Sequence, residues 1–116
     1  MTRILISGID HHAEQLAERL RRHHHTITQC SNVRGVLQQL RRVDEHFDLI
    51  VMDVEELGPE LQLLDQINVV RLKHAQYPAV VCVSRSYKGP QIQLKAERKG
   101  ARLVYVRQTC GCCRNC

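Results

Sequence analysis

Aromatic residues are nearly absent: the 116 residues include no tryptophan, one phenylalanine and three tyrosines. Single-stranded nucleic acid is held largely by stacking bases on aromatic faces. The chain therefore offers little to such a ligand, despite a formal charge of +5 and a pI near 9.1. Its basic residues are also dispersed, as Arg21-Arg22, Arg41-Arg42, Arg71/Lys73, Lys95/Arg98/Lys99 and Arg102/Arg107, each group near an expected helix end. That dispersal reads as solvated helix faces, so no nucleic-acid partner is expected. Long apolar runs are lacking too, so no membrane-spanning helix and no membrane partner are expected. Residues 1–7 lack the charged region, apolar core and small-residue cleavage site of a secretory signal, and the expected location is the cytoplasm.

What is present is enough for one core. With 43% hydrophobic residues, a chain of this length can form a single domain without staples. Its organising stretch is 47–53, where Leu49, Ile50, Val51 and Met52 run without polar alternation and stop on Asp53. Such a run suits a strand buried on both faces, as in a parallel sheet covered by helices. An acid at the carboxyl end of such a strand lies where an open α/β sheet forms its ligand crevice.

Strand and helix patterns alternate along the rest of the chain. Ile4 to Ile6 form a first strand. Asp10 then caps a helix with Ala13, Leu16, Ala17 and Leu20 on its buried face. The β-branched alternation of 26–30 fits an edge strand, and Ser31 or Asn32 caps a second helix with Val33, Val36, Leu37, Leu40 and Val43 inward. After the strand ending at Asp53, Gly58-Pro59 breaks the chain. Pro59 opens a third helix carrying Leu61, Leu64, Ile67 and either Val70 or Leu72, which stops before Pro78. A second buried strand spans 79–83 and ends on Ser84, and 85–90 is a polar loop. Residues 91–99 form a fourth helix ended by Gly100, and 103–106 form a last strand before Arg107. Five strands interleaved with four helices imply an α/β fold, a doubly wound five-stranded parallel sheet with helices on both faces.

Strand-end Asp53, strand-end Ser84, Gly100-Ala101 and the basic Arg107 closing the fifth strand together resemble the CheY-like receiver domain of two-component response regulators. The resemblance covers roughly residues 2 to 108, with every strand at the expected interval. It implies the flavodoxin-like strand order 2-1-3-4-5. It further implies a phosphorelay role in which Asp53 is the phospho-acceptor, with Ser84 and Arg107 at the phosphoryl-contact positions, Arg107 standing where the family has lysine. The partner implied is a histidine kinase or an output protein, and the domain is not itself an enzyme.

The departures from the family bear on mechanism. Its Mg²⁺ is held by two acids after the first strand, and here those places carry Gly8 and Ile9, with Asp10 next. A residual site of Asp10, Asp53 and a carbonyl at Glu55 should bind Mg²⁺ weakly or not at all, because that ion demands a near-octahedral oxygen shell. The family's proline after the acceptor is displaced to Pro59, and Val104 occupies the place of its aromatic switch residue, with Tyr105 one residue late. The expectation is an Asp53 ionised beside Arg107 and signalling by contact between proteins.

Other clusters point elsewhere. Asp10 and His12 match the Asp-x-His start of cobalamin-binding domains, but Gln15 stands where that motif has glycine. His23 to His25 end the first helix, where imidazoles suit the dipole. Cys30 and Cys82 read as small core residues. Residues 109–116 form a separate tail in which Cys110, Cys112, Cys113 and Cys116 could hold Zn²⁺ or part of an iron-sulfur cluster, the basis of an alternative metal- or redox-sensing reading. Finally, the residues after Arg107 have neither the length nor the apolar spacing for a fifth helix. The expected result is an under-covered face, closed by a homodimer through the first helix and fifth strand.

Overall fold

The computed structural model describes residues 2–8, 10–42, 46–74, 78–87 and 89–105. Along the chain run β1 (Arg3–Ser7), α1 (His11–Arg22), β2 (Thr26–Cys30), α2 (Val33–Leu40), β3 (Leu49–Asp53), two 3₁₀ turns (Val54–Leu57 and Pro59–Leu61), α3 (Gln62–Lys73), β4 (Ala79–Ser84), α4 (Pro90–Arg98) and β5 (Ala101–Tyr105). The strands form one sheet in the order β2-β1-β3-β4-β5, and every neighbouring pair is parallel. This is the doubly wound, flavodoxin-like order expected above, with four α-helices among the described residues. None of these helices is long and apolar enough to cross a membrane.

Strand parity divides the apolar residues between two faces. Leu5, Ile50, Met52, Cys82 and Leu103 lie in the larger core with Val36 and Leu40 of α2, Leu64 and Ile67 of α3, and Ala96 of α4. Their neighbours in the strands point the other way. Ile4, Ile6 and Val51 pack on Ala17 of α1, and Leu16, Leu20, Leu49 and Val83 are only half-buried around them. Each fully buried Leu or Ile stabilises the fold by about 1.5–3 kcal/mol relative to exposure, so most of the favourable burial lies on the first face.

The helix starts follow local chemistry. Asp10 accepts the Ala13 amide hydrogen bond at 2.9 Å, and Asn32, rather than Ser31, accepts from Gly35 at 3.1 Å, each satisfying a donor that a first helical turn leaves unpaired. The third helix starts later than its sequence suggests. Pro59 opens only a 3₁₀ turn, and Glu60 and Leu61 take left-handed φ values of 55° and 58° before α3 begins at Gln62. That geometry costs about 1–2 kcal/mol per residue; burial of Leu61, only 3% exposed, offsets it. Of the two candidates for the end of that face, Val70 is buried and Leu72 is 72% exposed. The last strand begins at Ala101 rather than 103, because Ala101 is buried opposite Val80. Val43 and Val106 lie outside the described residues.

Candidate functional site

At β1 and β3 the order of the sheet changes direction. The two strands are neighbours, Leu5 pairing with Ile50, yet the chain leaves β1 towards α1 on one face and leaves β3 towards α3 on the other. Their carboxyl ends therefore diverge and open a crevice. A cleft of about 220 Å³ lies there, lined at its polar end by Ser7, Asp10, Asp53, Glu56 and Arg85 and along its apolar flank by Ile6, Ala13, Leu16, Val51 and Val83.

Asp53, the last residue of β3, has a side chain 26% exposed. Its Oδ1 accepts the Glu55 amide hydrogen bond at 2.9 Å, which also caps the 3₁₀ turn that follows. Burial of Val54 and Leu57 in that turn sends Glu56 back towards β1, where Ser7 Oγ donates to its Oε2 at 2.9 Å. Glu56 is thus a third carboxylate of the site. Burial, reinforced by the charges of Asp53 and Asp10, raises its pKa above the ordinary carboxylate value, and the Ser7 hydrogen bond opposes the shift only in part.

Asp10 reaches the same cleft from the α1 side. Gly8 makes this path possible: its φ of +121° is one that side chains rarely allow, and its amide donates to the Cys30 carbonyl at 2.7 Å. The Ala13 amide, and then the Arg85 guanidinium, hold the Asp10 carboxyl below its usual range despite the opposing effect of burial. Arg85 Nη2 lies 2.6 Å from Asp10 Oδ2 and 4.0 Å from Asp53 Oδ2.

Ser84 is 1% exposed, and its hydroxyl donates to the Ser86 carbonyl at 2.6 Å, closing its own loop; it does not line the cleft. Arg107, expected to face Asp53, lies outside the described residues, as do Ile9 and Cys110, Cys112, Cys113 and Cys116. Within the described residues the cation beside Asp53 is Arg85, which the sequence had left in a polar loop. His12 stands in the first turn of α1 and, with Gln15, lines the cleft. Cys30 and Cys82 are buried as expected, and desolvation raises both thiols, Cys82 to about 12.

The donor set does not fit a divalent metal. Mg²⁺ needs oxygens at about 2.0–2.1 Å in near-octahedral array. Asp10 is committed to an amide and a guanidinium, Asp53 Oδ1 to an amide, and the guanidinium of Arg85 stands beside both acids. Among the described residues no group of three or more His, Cys, Asp or Glu is disposed to hold a metal ion.

No protein-family model matches the chain, and no curated protein matches it in sequence. Solved structures do match in fold. A response regulator from Burkholderia pseudomallei, solved with a phosphorylated aspartic acid, a calcium ion and citrate, superposes with a TM-score of 0.70 at 18% identity, covering 96% of this chain and 62% of that one. The chain thus spans less than two thirds of that protein. Chemotaxis protein CheY4 of Vibrio cholerae gives 0.71 at 14% identity, over 96% and 89% of the two chains. The receiver domain of the histidine kinase CKI1 from Arabidopsis thaliana, complexed with Mg²⁺, gives 0.70 at 15% identity, over 91% and 82%. With this strand order and these structural neighbours, the chain has the CheY-like receiver fold of two-component response regulators.

Proposed function

We propose that the chain is a receiver-like signalling domain of a phosphorelay system that works by protein contact and has lost metal-dependent phosphoryl transfer. The observation that supports this reading is the ion pair of Arg85 with Asp10, beside an Asp53 that ends β3, where the resemblance puts the acceptor. In phosphoryl transfer the metal neutralises charge on the moving group and templates it against the acceptor. Asp10 is engaged by an amide and an arginine, Asp53 Oδ1 by an amide and Glu56 Oε2 by the Ser7 hydroxyl, which leaves a poor oxygen shell for that ion, and Mg²⁺ binds weakly at most. Ser84 Oγ, engaged with Ser86, is likewise turned to its own loop. The domain is then not an enzyme. Its partner is a protein, either a histidine kinase or an output protein, or a second copy of the chain.

The test is incubation with a small phosphoryl donor and millimolar Mg²⁺ followed by intact mass, with Asp53→Asn as control. The expected outcome is little or no stable adduct on either protein. Efficient phosphorylation that disappears in Asp53→Asn would overturn the reading.

A further inference from the structure

Three carboxylates, Asp10, Asp53 and Glu56, line one cleft, and anions gathered in a partly desolvated site need a counter-charge. Of the two arginines that line the cleft, Arg19 and Arg85, the one paired with these acids among the described residues is Arg85. Its Nη2 stands 2.6 Å from Asp10 Oδ2 and 4.0 Å from Asp53 Oδ2, on a side chain about one third exposed (35%). A guanidinium keeps its charge at any physiological pH and directs a planar fork of donors at carboxylate oxygens. Strand geometry puts it there. Val83 lies on the cleft side of β4 and Ser84 on the core side, so the side chain two residues after Val83 emerges over the acids.

We infer that the Arg85 guanidinium is the resident cation of this acidic cleft, holding through an intramolecular ion pair the place beside Asp10 and Asp53 that a divalent ion would need. It is then Arg85, and not only the glycine and isoleucine after β1, that makes the site refuse metal. This deepens the reading proposed above and rests on it only for the choice of probe ion. Arg85 is a positioning residue here: it neutralises Asp10 and holds it at the start of α1. Without it, three anions face one another, and a divalent cation becomes the simplest means of offsetting their repulsion.

The experiment titrates Mn²⁺ into the full 116-residue chain and into Arg85→Ala and Arg85→Gln, followed by calorimetry and by thermal unfolding. The wild type should show no saturable binding at millimolar Mn²⁺ and no metal-dependent shift of Tm. Both variants should bind at least about tenfold more tightly than the wild type, unfold at lower temperature without metal, and recover on adding Mn²⁺. A second change, Asp53→Asn, should abolish the acquired binding. Arg85→Gln keeps most of the side chain's length and can still hydrogen-bond to Asp10, so it carries the test if Arg85→Ala does not fold. A wild type that binds Mn²⁺ as tightly as Arg85→Gln overturns the inference, and so does an Arg85→Gln that binds no better than the wild type. An Arg85→Gln that binds no better than the wild type leaves the contact-only reading untouched; tight Mn²⁺ binding by the wild type would count against its weak-metal premise, and the mass of Asp53 after phosphoryl donor decides that reading separately.

Discussion

At the scale of single residues the site is a balance between carboxylates whose pKa values are moved in opposite directions. Asp10 has its folded pKa lowered by the Ala13 amide and Arg85, so it contributes stability at neutral pH that is lost as pH falls through that lowered value. Glu56 has its folded pKa raised, first by burial and then by Asp53 and Asp10. Its ionised form therefore costs stability at neutral pH, and the cost is relieved as pH falls through the raised value. Because Glu56 protonates at the higher pH, mild acidification from neutrality should first raise Tm, and further acidification should lower it as Asp10 protonates. Glu56→Gln, whose amide oxygen can still accept from Ser7, removes the first phase. It should be more stable than the wild type at neutral pH by up to about 1 kcal/mol, discounted for partial exposure, with the two converging as pH falls. Circular-dichroism melts across this range check it, and parallel curves for the two proteins would show that Glu56 is not strained. Asp10 and Asp53 were legible in the sequence because each closes or follows an apolar strand. Glu56 and Arg85 were not, since their roles depend on which strands are neighbours: Ser7 meets Glu56 across 49 residues, and Arg85 meets Asp10 across 75.

At the scale of elements the pattern of apolar spacing was a sound guide, and its failures have local causes. The five strands and the inward faces of α2 and α3 within the described residues follow from periodicity, as does that of α1, of which only Ala17 is fully buried. The start of α3 does not, because burial of Leu61 outweighs left-handed backbone strain. Nor does the start of β5 at Ala101, whose short side chain gives no β signal but fills the space opposite Val80. Packing of α2 on β2 shows the same precedence of fit over propensity. A Cβ added at Gly35 would lie 2.9 Å from Cys30 Cβ, an atom fixed to the backbone of β2 that cannot swing aside. Gly35→Ala improves intrinsic helix propensity by about 1 kcal/mol, yet overpacking against a strand costs about 1–3 kcal/mol. We expect a net loss, read as a lower urea midpoint with unchanged slope. A stabilised Gly35→Ala would mean that α2 moves off the sheet more freely than this contact allows.

For the whole molecule, the two faces of the sheet are unequally covered among the described residues. α2, α3 and α4 close one face, while α1 stands over the other. On that second face Val104, opposite Val83 in the register, is 37% exposed, and Leu16, Leu20 and Val83 are half-buried. Leu103 turns to the core side and is 6% exposed, so on the α1 face the apolar surface that β5 leaves open is carried by Val104, Tyr105 (36% exposed) pointing the other way by strand alternation. Apolar surface left open on one face is a candidate for association, and a two-fold pair of copies is the simplest arrangement that covers the same patch on each. We expect light scattering at tens of micromolar to report a dimer, and Val104→Glu to make it monomeric. Val104 is exposed enough in a single copy that glutamate there leaves its charge in contact with water, so the variant should fold with an unchanged melting profile at low concentration. Leu94→Glu, at a 47% exposed position on α4, is the control: it should leave the dimer intact. If Leu94→Glu alone disrupts association, the pairing uses the α4 side. A wild type that stays monomeric at this concentration would mean that the α1 face is not closed by a second copy.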